Sequence, residues 1–494
     1  MKKTNALLNY IYAQRWCNFK EDIINGNVKS VVLESAPFDD DKKFFILGKA
    51  EIKNKSPKFF IMPLAKGIMA NEMPLRYKKF KVFDALKSSN YWSSIMNATC
   101  LNNSLSVSKE YNLVYQSWTD LDFITNHLND TSKPLNAEQS NTTLIIGNRT
   151  LAFKQQRLIE FSNSVNPEVE MNYNLMKSKC SVIPKTYGHL FLISPKGENA
   201  FVGIVQEFIP NHGDLWAILL KRIYEILIKA IKNNKDKIAS RDITPLKHLM
   251  NDLGVRTSEM LKCLSSFKGS DDLKVEAITT KYIKNYTAEL KNQAEEAKNK
   301  IYQNIEYLPE VIRQRISPLL ENWDKYINKF IQENISEISK RKRKGKLMRV
   351  HGDFHLGQVI LSENNELKFI DFSGEPNLSF AKRKEKHPYM YDIAGMYRSI
   401  NGYLEASVVI KYAIDEFGEL NKDKLILGYK ILHPVIEKLT ESFLKPQNID
   451  KQWLNLEILR RNLYEISYEI SYRPKMLSVP VFNLLNLLNV DYKI

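Results

Sequence analysis

The interpretation of this chain rests on residues 350–399, which begin with Val350-His351-Gly352-Asp353-Phe354-His355-Leu356-Gly357-Gln358. They continue with Phe369-Ile370-Asp371-Phe372-Ser373-Gly374-Glu375-Pro376 and end with Asp392-Ile393-Ala394-Gly395-Met396-Tyr397-Arg398-Ser399. Carboxylate and amide oxygens are the ligands that Mg²⁺ prefers in proteins. The two aspartates Asp353 and Asp371, together with the amide of Gln358, therefore predict a magnesium site.

The spacing of these residues indicates phosphoryl transfer. In kinase-like catalytic loops an Asp is followed five residues later by an Asn that holds a metal ion, and a second Asp leads an Asp-Phe sequence. Here Gln358 follows Asp353 at that spacing and supplies the amide oxygen, and Asp371 precedes Phe372. The alternative interpretation is that His-Gly-Asp forms a turn and that Asp371 caps a strand.

The residues between the two aspartates predict a β-hairpin. Residues 359–361 are an apolar run, residues 367–370 alternate roughly, and residues 362–366 are rich in turn formers. A hairpin would bring Asp353, just before its first strand, close to Asp371 at the end of its second strand.

Length and composition predict a globular protein of several domains. The chain has 494 residues, of which 44% are hydrophobic and 26% charged, so roughly two or three domains are expected. The cysteines Cys17, Cys100, Cys180 and Cys263 are scattered without a Cys-x-x-Cys pair, which argues against zinc ribbons and disulfide scaffolds and favours reduced thiols. No apolar stretch approaches the ~20 residues of a membrane span, so we expect a cytoplasmic protein without a membrane partner.

The net charge of +16 raises the possibility of nucleic-acid binding. The basic residues are spread along the whole chain, with one dense run at residues 340–346, and no helix-turn-helix, zinc-finger or RNP pattern accompanies them. The run is typical of a helix end, where cations oppose the dipole; alternatively, it raises the local concentration of a polyphosphate such as ATP. We expect no nucleic-acid partner.

The order of predicted elements indicates an α+β fold with two lobes of the protein-kinase type. Residues 1–95 are predicted to form a small α/β unit, residues 96–210 an N-terminal lobe and residues 211–494 a mostly helical C-terminal lobe. Strands are predicted at residues 142–146 and 149–155, and long amphipathic helices at residues 215–233 and 281–306.

The N-terminal lobe carries the candidates for nucleotide binding. The loop residues that offer hydroxyl and N–H groups to phosphate oxygens are Ser140, Asn141 and Thr142. Lys154 is the candidate lysine for the α- and β-phosphates, paired with Glu170 in the helix that residues 166–170 introduce; the alternative is a solvent-facing strand lysine. The candidates for an adenine-binding hinge are Gln206, Glu207 and Ile209.

These motifs resemble those of the maltokinases, an actinobacterial and archaeal family with the aminoglycoside-phosphotransferase-like kinase fold. The family patterns HGDxHLGQ, DFEGEP and DVAGMLRS have counterparts at residues 351–358, 371–376 and 392–399. Further counterparts, which extend the resemblance over nearly the whole chain, are QRW at residues 14–16, VYDAL at 82–86, SNTS at 140–143, NPExE at 166–170, QEFVPNxGD at 206–214, LGxRT at 253–257 and YExxYExxxRP at 464–474.

The resemblance implies ATP-dependent phosphorylation of maltose to maltose 1-phosphate by a monomer or weak dimer, with residues 1–95 as an N-terminal cap. Asp353 would be the catalytic base, and Gln358 and Asp371 would hold Mg²⁺. The residues implied to lie near the sugar are His355, Glu375, Tyr464 and Arg473.

Two positions depart from the family pattern and leave other functions open. Ser373 replaces a glutamate of DFEGEP, and Leu261 stands where the family has histidine. The alternatives are a kinase of the same fold for another sugar, such as glucosamine, and a non-catalytic nucleotide-binding protein. Glucosamine kinases tend toward DFDGNP, so Glu375 favours maltose.

Overall fold

The computed structural model describes residues 2–69, 75–101, 104–108, 110–119, 121–135, 141–269, 271–375, 378–414 and 419–490. The chain forms two compact units. The N-terminal unit comprises Met1–Met176 and Pro184–Pro210, and the C-terminal unit comprises Lys177–Ile183 and Asn211–Ile494. Within the described ranges, no helix combines the length and apolar character that a membrane span requires.

The N-terminal unit is built mainly from antiparallel strands. Its strands are β1 (Val28–Phe38), β2 (Lys43–Ile52), β3 (Lys58–Ile61), β4 (Leu64–Lys66), β5 (Leu75–Tyr77), β6 (Phe80–Asp84), β7 (Leu105–Ser106), β8 (Asn112–Ser117), β9 (Ser132–Pro134), β10 (Thr142–Ile146), β11 (Leu151–Gln155), β12 (Leu158–Ile159), β13 (Phe161–Ser162), β14 (Thr186–Ile193) and β15 (Asn199–Glu207). Its helices are α1 (Lys2–Ala13), α2 (Lys20–Ile24), α3 (Tyr91–Met96), α4 (Leu121–Thr125) and α5 (Pro167–Lys177).

Two sheets share the core of this unit. Among the described residues, the first sheet has the order β12-β3-β2-β4-β6-β5 with β1 beside β2, and the second has the order β7-β8-β14-β15-β11-β10-β9 with β13 beside β15. One hydrophobic cluster includes Phe45 and Ile61 of the first sheet and Leu144 and Phe153 of the second. The predicted boundary after residue 95 therefore falls inside a unit whose two sheets bury a common face.

Alternation of side chains explains the strands that carry the nucleotide candidates. In the hairpin of β10 and β11, Leu144 and Phe153 are buried, whereas Thr143 lies opposite Lys154. Successive side chains of a strand point to opposite faces. The predicted strands are confirmed, except that the second begins at Leu151 because Gly147 and Arg149 adopt positive φ in the connecting turn.

The C-terminal unit is mostly helical, as predicted. Its helices are α6 (Leu215–Lys232), α7 (Ser240–Ser265), α8 (Thr280–Gln303), α9 (Glu310–Glu321), α10 (Trp323–Ser339), α11 (Phe380–Arg383), α12 (Met390–Arg398), α13 (Glu405–Ala413), α14 (Lys422–Leu444), α15 (Lys451–Tyr472) and α16 (Ser478–Leu487). Its strands are β16 (Asn211–Asp214), β17 (Glu276–Ala277), β18 (Lys346–Met348), β19 (Val359–Ser362), β20 (Leu367–Phe369) and β21 (His387–Pro388). Helix α15 packs against α8, α10, α12 and α16.

The predicted hairpin is confirmed. Strands β19 and β20 pair antiparallel with Val359 opposite Phe369, and β16 pairs with the other edge of β19. The segment Lys177–Ile183 belongs to this unit because the Phe369 N–H donates to the carbonyl oxygen of Val182, at 2.7 Å.

The expectation of reduced cysteines is wrong for one pair. Cys180, in the segment Lys177–Ile183, forms a disulfide with Cys263 of α7, and their Cα atoms are 5.8 Å apart. The two residues are 83 positions apart in sequence, so only the tertiary fold brings them together. Cys17 and Cys100 are free thiols.

Candidate active site

One backbone hydrogen bond and one side-chain hydrogen bond join the loop of Asp353 to the segment of Asp371. The Ile370 N–H donates to the carbonyl oxygen of Gln358 at 3.0 Å. The Nε2 atom of His351 lies 2.9 Å from the carbonyl oxygen of Ile370. Each hydrogen bond connects a residue near Asp353 with the residue that precedes Asp371, so the hairpin brings the two segments together.

His351 holds the turn before Asp353. Its side chain is 1% exposed, and burial lowers its pKa, which favours the neutral ring. A neutral imidazole has one donor nitrogen and one acceptor nitrogen. Nε2 therefore donates to Ile370, while Nδ1 accepts from the Asp353 N–H at 3.4 Å. We interpret His351 as a structural link between the two acidic segments.

Asp392 of α12 supports the same turn from the other side. Its carboxylate accepts from the His351 N–H at 2.8 Å and from the Gly352 N–H at 3.0 Å. One turn later, Gly395 lets the helix approach closely, because a Cβ there would lie 2.7 Å from the carbonyl oxygen of Phe354. Asp392 and Gly395, about one helical turn apart, thus let α12 pack closely against the loop that carries Asp353.

The predicted metal ligands Gln358 and Asp371 lie on either side of the β19–β20 hairpin in sequence. Gln358 closes the 3-10 turn Leu356–Gln358, and Asp371 follows β20 with φ +65°, a conformation that only Gly, Asn and Asp tolerate readily. The Ser373 hydroxyl donates to Oδ1 of Asp371 at 3.0 Å.

Asp371 and Gln358 together offer carboxylate and amide oxygens, the donors that Mg²⁺ prefers. In the described part of the chain, no three His, Cys, Asp or Glu side chains form a metal-binding cluster. However, Mg²⁺ is usually bound by one or two carboxylates together with water and substrate phosphates, rather than by a cage of protein groups. The oxygen donors of Asp371 and Gln358 fit a metal ion that arrives with a nucleotide.

His355 lies beside Asp353, the predicted base, and beside Gln358, the predicted metal ligand. Its Nδ1 accepts from the Gly357 N–H at 3.1 Å, and its Nε2 is 3.5 Å from the Gln358 amide nitrogen and 3.8 Å from Oδ2 of Asp353. Burial lowers the pKa of His355. The ring therefore orients the loop and borders the space next to Asp353.

Arg461 of α15 is the residue that the sequence analysis missed. Its Nη2 lies 3.1 Å from Oδ1 of Asp353, and its Nη1 lies 2.7 Å from Oε1 of Glu375. Burial lowers the pKa of Arg461, but the nearby carboxylates outweigh burial and raise the pKa well above its usual value. A signal was present in the sequence, since Arg461 and the singled-out Tyr464 are three residues apart and share one helix face.

Glu375, which is predicted to lie near the sugar, is buried beside Arg461. The residue is 1% exposed, and its Oε1 accepts from the Tyr391 hydroxyl at 3.2 Å as well as from Arg461. A buried carboxylate must be paired and hydrogen-bonded, because desolvation of the bare charge is costly. Glu375 therefore shares the guanidinium of Arg461 with Asp353.

Helix α15 carries further ion pairs around this contact. Arg398 donates twice to Oε2 of Glu465, at 3.0 and 2.7 Å, and Arg460 donates to Glu457 at 2.8 Å. The guanidinium of Arg460 also lies 3.7 Å from the ring centroid of Tyr391. Glu465 is thus neutralised by an arginine of α12, and Glu457 by an arginine of α15 itself.

The two remaining candidates for sugar binding occupy different positions on α15. The Tyr464 ring is 5.1 Å from the guanidinium of Arg461, so it lies next to the Asp353 contact. Arg473 follows the helix, is half-exposed and donates to Oε1 of Glu469 at 2.6 Å. The Tyr403 hydroxyl donates to the same oxygen, which links Arg473 to a network of its own.

Lys154 forms an ion pair with a glutamate in the first turn of α5. Its Nζ lies 2.9 Å from Oε1 of Glu168 in the first turn of α5, and the two side chains are 16% and 4% exposed. Residues two apart on a helix do not share a face. Glu170 is accordingly the less buried of the two glutamates.

The other nucleotide candidates lie on neighbouring strands of the N-terminal unit or beside them. Thr142 accepts from Nε of Arg157 at 3.1 Å, and Gln206 donates to Asn172 and Thr186 at 3.1 and 3.0 Å. The Glu207 N–H donates to the carbonyl oxygen of Lys185 at 2.8 Å. Ile209 is buried and Asn141 directly precedes β10, whereas Ser140 lies outside the described residues.

The two glutamates of α5 provide a direct test of the lysine pair. We expect Glu168→Gln to lower the free energy of unfolding by about 2 kcal/mol, because it removes the buried carboxylate that pairs with the partly buried ammonium of Lys154. Glu170→Gln is expected to lower it by less, because Glu170 is the less buried of the two glutamates. Urea unfolding followed by tryptophan fluorescence measures both. Equal losses in the two variants would contradict the assignment of Glu168.

No protein-family model matches this chain. Among solved structures, glucosamine kinase in its crystal form B aligns with a TM-score of 0.60 at 15% identity, over 94% of this chain and 95% of that chain. Glucosamine kinase in complex with glucosamine, ADP and inorganic phosphate aligns with a TM-score of 0.56 at 14% identity, over 93% and 94%. The chain therefore has a kinase-like mixed α/β fold over nearly its whole length.

Proposed function

We propose that this protein is an ATP-dependent sugar kinase that phosphorylates maltose at its anomeric hydroxyl to give maltose 1-phosphate. The observation that carries the proposal is the joining of the Asp353 loop to the Asp371 segment by His351 and by the Gln358–Ile370 backbone bond. A carboxylate base beside an oxygen-donor metal site is the minimum that phosphoryl transfer to a hydroxyl requires.

In the proposed mechanism the protein mainly positions the reactants. Gln358 and Asp371 would hold Mg²⁺, which neutralises phosphate charge when it is bound. Asp353 would orient the acceptor hydroxyl and accept its proton as the bond to phosphorus forms. His351 and Asp392 keep the Asp353 backbone in place, and Lys154 would contact the nucleotide phosphates.

Maltose is proposed as the acceptor because of the motif order along the chain. The counterparts of HGDxHLGQ and YExxYExxxRP contribute Asp353 and Tyr464, which are connected through Arg461. An aromatic ring beside hydrogen-bonding carboxylates suits an apolar sugar face with polar hydroxyls around it. The second candidate acceptor is glucosamine, which is favoured by the likeness to the glucosamine kinase structures.

A substrate panel tests the proposal. The protein is incubated with Mg-ATP and maltose, glucose, glucosamine or trehalose, and the phosphorylated product is identified by phosphorus NMR. We expect an anomeric phosphate signal that is strongest with maltose. A stronger signal with another sugar would transfer the proposal to that acceptor. No ADP formation with any sugar, while ATP binding is retained, would favour a non-catalytic nucleotide-binding protein.

A further inference from the structure

The charge of Asp353 is compensated by a buried cation of the protein itself. Arg461 bridges Asp353 and Glu375, with distances of 3.1 and 2.7 Å to the two carboxylates. The side chains of Asp353 and Arg461 are 19% and 12% exposed, whereas that of Glu375 is 1% exposed. A ligand that reaches Asp353 therefore meets a carboxylate whose guanidinium partner is already in place.

The other carboxylates of α15 near this contact are also paired. Glu465 accepts two bonds from Arg398, and Glu457 accepts from Arg460, whose Nη1 lies 3.7 Å from Glu375. Glu465 and Glu457 are 4% and 0% exposed, so neither offers a solvent-facing negative charge to an incoming cation. These pairs leave the surroundings of Asp353 without an uncompensated carboxylate on this helix.

We propose that Arg461 is a specificity-determining residue that selects an uncharged sugar over an amino sugar. This inference rests on the proposed sugar kinase function. An ammonium group beside Asp353 would give up hydration in a partly desolvated site, while the fixed positive charge of Arg461 offsets the attraction that Asp353 by itself would exert. A neutral hydroxyl pays no such penalty and can still donate its hydrogen bond to Asp353.

Glucose and glucosamine form the matched pair that tests this selectivity, since they differ only in the group at carbon 2. At a pH where the amine is protonated, we expect kcat/KM for glucosamine to be at least about tenfold below that for glucose. In Arg461→Gln the ratio of the two kcat/KM values is expected to shift toward glucosamine by about tenfold or more, because Asp353 loses its cation. Arg461→Lys keeps the charge and is expected to keep most of the selectivity.

Arg341→Gln is the control. Arg341 makes an ion pair of the same kind with Asp450, at 2.7 Å, beside the first turn of α15. Position 461 lies about ten residues further along this helix, which corresponds to about 15 Å. The control should leave the ratio of glucose to glucosamine unchanged.

The outcomes separate this inference from the proposed function. Equal use of glucose and glucosamine by the unaltered protein, or an unchanged ratio in Arg461→Gln, would overturn the selectivity role while the kinase function stands. Failure to phosphorylate any sugar would instead overturn the kinase function, and the inference would fall with it. If Arg461→Gln does not fold, the pH dependence of the unaltered protein decides: discrimination against glucosamine must weaken as its amine loses its proton, and a constant ratio contradicts the proposal.

Discussion

Asp353→Asn is expected to lower kcat by about 10³-fold while ATP affinity stays within about threefold of the unaltered protein. The amide keeps an oxygen that can accept from Nη2 of Arg461, so the contact at 3.1 Å and the local fold are retained. What is lost is the ability to take a proton from the acceptor hydroxyl. Steady-state turnover with saturating sugar and calorimetric binding of ATP measure the two quantities separately.

The matched control for this substitution is Asp450→Asn. Asp450 is also an aspartate held by an arginine, Arg341, and it caps the N-terminus of α15 by accepting from the Trp453 N–H at 3.2 Å. Its replacement should lower stability by at most about 1 kcal/mol and leave kcat of the folded protein unchanged. Residual activity of Asp353→Asn within tenfold of the unaltered protein would reject Asp353 as the base.

Asp371→Ala is expected to abolish the magnesium-dependent part of nucleotide binding. At a Mg-ATP concentration of about 100 times Kd, binding stabilises a protein by about 2.7 kcal/mol, which appears as a rise in Tm. Without the carboxylate, Gln358 alone would have to hold the metal ion, and we expect the affinity for Mg-ATP to fall about 100-fold or more. The Tm shift with Mg-ATP should then approach the shift with ATP and EDTA.

Ser373→Ala separates loss of the carboxylate from loss of its local support. Ser373 donates to Oδ1 of Asp371 at 3.0 Å, so this variant removes a hydrogen bond but keeps the metal ligand. It should retain most of the magnesium-dependent Tm shift, with Kd for Mg-ATP raised no more than about tenfold. A full magnesium-dependent shift in Asp371→Ala would mean that another group holds the metal ion.

Local patterns determined the part of the site that could be predicted. The apolar run at residues 359–361, the turn-forming residues 362–366 and the return at 367–370 predicted the hairpin, which the structure confirms as β19 and β20. A hairpin needs only neighbouring residues with the right alternation and a turn between them. Because Asp353 and Asp371 flank it closely, their approach followed from sequence alone.

Contacts between distant segments could not be predicted in this way. Arg461 is 108 positions from Asp353 and 86 from Glu375, and no periodicity relates a helix late in the chain to a loop before it. The pairing of Lys154 with Glu168 likewise depends on how α5 is rotated against β11. A first helical turn with two glutamates could turn either one toward β11, and burial of one face of the helix selects the rotation.

The sequence by itself therefore determined the kinase-like order of motifs, the hairpin and the candidates Asp353, Gln358 and Asp371. Only the tertiary structure decided which charges neutralise one another, namely Arg461 with Asp353 and Glu375. The reason is physical: local hydrogen bonding and side-chain alternation are properties of adjacent residues, whereas the partner of a buried charge is chosen by the packing that removes it from water.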